Sequence, residues 1–354
     1  MKFTENKKEA IRACILEKIT QQTPALAKSV ADTFQINPST VYAYLNELTA
    51  SHVIRKMKRG QYELIHSVYQ FELQRSNGDL DDDTYAYEIC LRQYVSSFPE
   101  NIRNIWSYAF SEMINNVMDH SAAEHVQIRI VQDELATEVM IQDDGVGIFE
   151  KIREYFHLPS LKEAICELFK GKLTTDAVNH SGEGIFFSSR LMDDFYIVSD
   201  GKLFTNNRYD DSRICSLTEH VQKGTRVVMK LSNCSRKTAK SVFDEYSDDD
   251  GGFTKTTIPL KHIFDASPVS RSQAKRVCNR LDRFQEIQVD FEDIEWIGQG
   301  FAHQMFVVFA NQHPGLSLIP VHMNKDVEKM VCHVKQQSES GGGSVGNTSN
   351  PHLC

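Results

Sequence analysis

Glu112, Asn116 and Asp119 fall at i, i+4 and i+7 of residues 111–120 (S-E-M-I-N-N-V-M-D-H), a stretch with helical spacing. Two carboxylates and an amide therefore share one helix face. Met113, Ile114 and Val117 already supply the apolar face, so the polar stripe belongs to solvent or to a ligand. Two later segments bear on which. Residues 142–148 (Q-D-D-G-V-G-I) follow a strand and turn sharply on Gly145 and Gly147. Residues 180–185 (H-S-G-E-G-I) carry a second pair, Gly182 and Gly184, opening a helix that runs through Phe186 to Met192. Glycines ahead of a helix start let backbone N–H groups approach phosphate oxygens, where the helix dipole helps. The chemistry such a set could do is phosphate binding. Either glycine pair alone is a common turn signal. The ordered set of E-x-x-x-N, D-x-G-x-G, G-x-G and then Gly224-Thr225 before a strand is specific.

The elements that must position these groups sort into an α+β chain of 354 residues, long enough for two or three domains. Residues 108–235 mix long helices with alternating strands, for instance 126–130 and 138–141. Residues 67–107 read as a connecting helical region, in which an acidic patch (Asp79, Asp81, Asp82, Asp83) precedes a helical stretch running into Pro99. Residues 250–335 read as strand and helix alternating three times. Residues 336–354, rich in Ser, Gly and Asn, form a low-complexity tail expected to be disordered.

Residues 1–66 are expected to form three short helices and a hairpin. Thr23-Pro24 and Asn37-Pro38 each place a capping residue before a proline, which suits a helix start. The third helix sets Val41, Leu45 and Leu48 on one face, with Ser39, Thr40, Tyr42 and Tyr44 elsewhere. The hairpin follows over residues 53–64, with Lys56, Lys58 and Arg59 near its tip. This arrangement resembles a winged helix-turn-helix, a fold that lays its third helix in the DNA major groove and its wing on phosphate. Lys56, Lys58 and Arg59 are the candidate DNA contacts. Such folds also serve as protein–protein or dimerisation modules, so both partners stay open. Charge agrees with either: residues 1–66 carry ten Lys/Arg against six Asp/Glu, on a chain whose net charge is −9.

The composition is that of a soluble globular protein, with 41% hydrophobic and 25% charged residues. No apolar run approaches the roughly 18 residues that a membrane span needs, and the N-terminus has no signal-peptide core. A cytoplasmic protein without membrane contact is expected. The eight cysteines are spaced singly, so buried thiols are expected rather than zinc or disulfides.

The four ordered elements resemble the N-box, the two glycine boxes and the closing Gly-Thr of the GHKL ATPase superfamily, which has an α/β sandwich and binds ATP with Mg²⁺ under a mobile lid. The resemblance implies that Asn116 reaches Mg²⁺ and the phosphates, and that Asp143 accepts the adenine amino hydrogen. It further implies that Gly145 and Gly147 leave room for the base and the lid hinge, and that Gly182 and Gly184 cradle the phosphates. Thr225 would bond near the adenine through water, and Glu112 would be the general base. Residues 181–194 (S-G-E-G-I-F-F-S-S-R-L-M-D-D) look most like the anti-sigma-factor serine kinases. The lid, from Phe149 to Ser181, contains Lys170, Lys172, Thr174 and Thr175. Either lysine could meet the γ-phosphate or simply face solvent. His120 and His180 border the pocket in supporting roles. Residues 67–107 hold no histidine, so no phospho-acceptor of the sensor-kinase kind is available there.

The C-terminal segment resembles STAS domains, the fold of the anti-sigma-factor antagonists. A strand over residues 284–291 leads into Gly298-Gln299-Gly300 and a helix over residues 302–311. That loop has no hydroxyl where many antagonists carry a phosphorylatable serine. The expected function is an ATP-dependent regulatory switch with slow ATPase activity, coupled to DNA or protein binding. The alternative is a serine/threonine kinase acting on a STAS-type partner, with a homodimer possible in either case.

Overall fold

The computed structural model describes residues 3–58, 60–173, 182–207, 211–218, 223–264 and 266–341. Arg59, Thr174, Thr175, His180 and Ser181 lie outside them, as does most of the tail.

Three helices, Glu5–Thr20, Leu26–Phe34 and Pro38–Ala50, precede a hairpin of β1 (Ile54–Lys58) and β2 (Gln61–Leu64). Ile11, Ile15, Val30, Val41, Leu45 and Leu48 bury against one another as its core. Asn37 starts the third helix as expected: its side chain accepts from the Ser39 N–H, with Pro38 in the first turn. Thr23-Pro24 does not cap the second helix. That helix starts later, behind Ala25 in a left-handed conformation with no side-chain cap. In β1 only Ile54 is buried, which leaves Lys56, Met57 and Lys58 exposed. This unit rests on the turn between the fourth and fifth strands. Leu135 packs on its core, Arg12 pairs with Glu134 at 2.9 Å, and His66 Nδ1 lies 3.2 Å from Asp133.

The central body is a six-stranded antiparallel sheet in the order β3-β4-β5-β8-β6-β7. Its strands are β3 (Ser67–Gln74), β4 (His125–Gln132), β5 (Ala136–Asp143), β6 (Asp194–Ser199), β7 (Lys202–Thr205) and β8 (Thr225–Ser232). Alternation decides the faces: Val126, Ile128, Ile130, Val139 and Ile141 turn to one side and are buried there. The helices Glu100–Asn116, Leu161–Lys170 and Gly184–Leu191 cover that side with Trp106, Phe110, Phe169 and Phe186.

Residues 67–107 belong to this body rather than to a connector. β3 pairs with β4 along its length, from Ser67↔Gln132 to Gln74↔His125, and Cys90, Leu91, Val95, Ile102 and Trp106 sit in the same core. As an edge strand β3 buries only Leu73, so its alternation is weak in the sequence.

Three parallel strands complete the fold in the order β11-β10-β9: β9 (Lys255–Pro259), β10 (Glu286–Asp290) and β11 (Ser317–Val321). Parallel pairing needs crossovers, supplied here by the helix Arg271–Cys278 and the helical run that begins with Gln299–His303. The core is continuous between the two sheets. Phe253 packs tilted against Phe186 at 4.6 Å and Phe187 at 5.1 Å, and edge-on against Phe284 at 5.4 Å, between ring centroids.

Candidate functional site

A cavity of about 270 Å³ opens between the helix Glu100–Asn116, the facing ends of β5 and β8, and the starts of the helices Ile148–Tyr155 and Gly184–Leu191. Glu112, Asn116, Asp143, Gly182, Gly184 and Thr225 all line it, although they come from segments spread over 114 positions. The α-helix ends at Asn116 and continues into a wider π turn, Val117–Ser121, closed by Ala122 in a left-handed conformation. Such turns recur at functional sites. Despite the change of pitch, Asp119 still reaches the cavity, with Glu112 and Asn116 half-buried and Asp119 exposed.

Asp143, at the end of β5, is 4% exposed. Its carboxylate accepts the N–H of Gly145 at 2.8 Å and that of Thr225. Burial pushes its pKa up from an ordinary 3.8 to about 6, and those two N–H groups limit the rise. The residue before Thr225 explains how β8 comes so near. Gly224 has φ +78°, and a Cβ there would strike the Asp143 carbonyl. Thr225 and Ser199 hydroxyls both accept from the Ile148 N–H, at 3.1 and 3.2 Å, so β6 and β8 together hold the next helix start.

Val146 and Ile148 line the cavity, and the neighbouring Gly145 and Gly147 pack the turn that carries them. A Cβ on Gly145 would collide with the Ser121 carbonyl, which accepts the Val146 N–H at 2.7 Å. A Cβ on Gly147 would collide with the Asp200 carboxylate, which accepts the Glu150 N–H at 3.1 Å. Gly184 is different: a Cβ would overlap the Glu112 carboxylate, so its absence brings the helix start directly against that side chain.

Neither Lys170 nor Lys172 lines the cavity: Lys170 is buried and Lys172 is half-buried. Lys170, at the end of the helix Leu161–Lys170, is 1% exposed, and its ammonium donates to Glu167 at 2.6 Å and to the Asn279 and Arg276 carbonyls at 2.7 and 3.3 Å. Arg280 reaches Glu167 from the same side at 3.4 Å. Lys172 donates to the Arg283 carbonyl at 3.0 Å and lies over the Phe284 ring at 4.8 Å. Both lysines are thus spent on the C-terminal α/β unit. Thr256, on β9, completes the contact by donating to the Lys170 carbonyl at 2.8 Å. Leu168, Gly171 and Leu173, from this same stretch, line the cavity.

Among the polar lining residues passed over in the sequence are Asn115, Ser121 and Lys151. Asn115 precedes the motif asparagine, and Lys151 sits four positions after Gly147. The signal for Lys151 was its place in the first turn of the helix that the glycine turn starts.

Comparison with known families agrees with this division. Residues 103–235 match the model for histidine kinase-, DNA gyrase B-, and HSP90-like ATPases, and residues 273–328 match that for a STAS-like domain of unknown function. The chain thus carries a GHKL-type ATPase domain that holds the cavity, followed by a STAS-like domain that holds the end of the helix Leu161–Lys170. A search of curated proteins finds no match. No described helix is long and apolar enough to cross a membrane.

Proposed function

We propose that this chain is an ATP-operated regulatory switch, in which the occupied cavity is sensed by the STAS-like domain through the lid helix. The observation that carries the reading is the buried Asp143 carboxylate at the cavity wall, held by the Gly145 and Thr225 N–H groups. A buried acceptor of this kind selects a ligand with an amino group at that place, as adenine has. Thr225 lies beside it for a water-mediated bond. At the other end, Asn116 faces the phosphates while Gly182 and Gly184 keep the backbone close to them. The oxygen donors of Glu112, Asn116 and Asp119 on one side of the cavity fit a hard cation, and Asn116 is the proposed Mg²⁺ ligand. Bound Mg²⁺ would supply charge neutralisation to the phosphates. Glu112, whose carboxylate abuts Gly184, is the proposed group that polarises an attacking water.

Coupling follows from the shared stretch. Leu168, Gly171 and Leu173 touch the cavity, while Lys170 and Lys172 between them are fixed to carbonyls of the STAS-like domain. A ligand that shifts this stretch must shift the domain it is attached to, or break those bonds. The three N-terminal helices and hairpin are read as a winged helix that carries the output to DNA or to a protein.

Titration of the full chain with Mg-ATP, together with phosphate release from ATP, tests the proposal. Glu112→Ala should keep ATP affinity and lose turnover. Normal turnover in that variant would remove the base assignment. Labelled protein in place of free phosphate, with a STAS-type partner present, would turn the reading toward the serine/threonine kinase. Absence of ATP binding by the wild type would end both.

A further inference from the structure

We infer that Lys151 is the side-chain cation that receives the phosphate chain of the bound nucleotide, an assignment that rests on the ATP reading of the cavity. Among the described residues that line the cavity, Lys151 is the one lysine or arginine, set against the carboxylates of Glu112, Asp119 and Asp143. A polyphosphate entering a wall of that sign gains most from the cation already there. The two lid lysines are committed elsewhere, to carbonyls at 276, 279 and 283.

Lys151 is also held in position. Its helix, Ile148–Tyr155, starts where Thr225 and Ser199 fix the Ile148 N–H, one turn ahead of the lysine. The ammonium donates to the His120 carbonyl in the π turn that follows Asn116. That bond uses one of the three N–H groups of an ammonium, so the group is aimed at the end of the polar stripe with donor capacity left. Burial lowers its pKa from the usual lysine value, while Asp119 pulls the other way. The cation is therefore partly stripped of water before any ligand arrives, which strengthens its interaction with an anion.

The test is a series of adenosine, AMP, ADP and ATP, each measured with Mg²⁺ by competition on the full chain. Lys151→Met should bind adenosine within about twofold of wild type. It should lose roughly 10- to 100-fold for the first member whose phosphate reaches the lysine and for every longer one. Lys151→Arg should recover most of that loss, and added salt should narrow the gap between wild type and Lys151→Met. Equal losses for adenosine and ATP would mean that the lysine only fixes the His120 carbonyl, and would overturn the inference. So would unchanged affinity for all four. Failure of the wild type to bind any member with Mg²⁺ would instead remove the ATP reading itself. Should Lys151→Met not fold, Lys151→Gln carries the same comparison.

Discussion

Asp143→Asn should make the central domain more stable while it loses its ligand, and the size of both effects follows from the geometry of that carboxylate. The side chain is 4% exposed, and burial raises its pKa from 3.8 to about 6. At ~1.4 kcal/mol per unit, the ionised form carries a penalty of about 3 kcal/mol in the folded state. The folded value lies above the unfolded one, so this penalty is fully present above about pH 6. It shrinks as pH falls, and it is gone below the unfolded value near 4. An asparagine carbonyl can accept the same two N–H groups without any charge. The variant should therefore gain up to about 3 kcal/mol at pH 8, or roughly 5–10 °C in the melting transition of a domain this size. The gain should fade towards pH 4. With its carbonyl so occupied, the amide turns its NH₂ into the cavity, where it meets an adenine amino group donor to donor. Affinity for ATP should drop by roughly 10- to 150-fold, the loss of a charge-assisted hydrogen bond. Thermal melts across pH 4–8 and ATP titration at pH 8 measure the two effects. A stability gap that is the same at pH 5 and pH 8, or ATP affinity that survives the change, would refute the reasoning.

Lys170→Met should cost about 3–5 kcal/mol, because it leaves Glu167 buried with Arg280 alone and the Asn279 carbonyl without its donor. Chemical denaturation measures it, and the pair Lys170→Met with Glu167→Leu should cost less than the sum of the single changes. Wild-type stability in Lys170→Met would show that the lid helix is not anchored there. At the N-terminal unit, changing Lys56, Lys58 and Arg59 together to alanine should abolish a salt-sensitive DNA mobility shift. A shift unaffected by those changes would move the contact off the hairpin.

The sequence determined this protein's local chemistry. A helix face bearing Glu112 and Asn116, glycine pairs beside helix starts, and an Asp at a strand end are encoded by neighbours a few residues apart. Their order along the chain, read through the resemblance to GHKL ATPases, named Glu112, Asn116, Asp143, Gly182, Gly184 and Thr225, which line one cavity. Helical and strand periodicity likewise gave the N-terminal helices, the hairpin and the alternating C-terminal unit. What the tertiary structure decided were contacts between distant segments. Gly145 and Gly147 were legible as turn glycines, but the packing of Ser121 and Asp200 where a Cβ would stand was not. β3 hid in an apparent connector because its partner, β4, lies some 50 residues on and its outer edge is unpaired. Lys170 carries no local sign of burial, since the carbonyls that hold it belong to residues more than 100 positions away. A charge is buried only where such distant partners converge to offset its desolvation. That convergence fixed the lid lysines to the STAS-like domain and left Lys151 to the cavity.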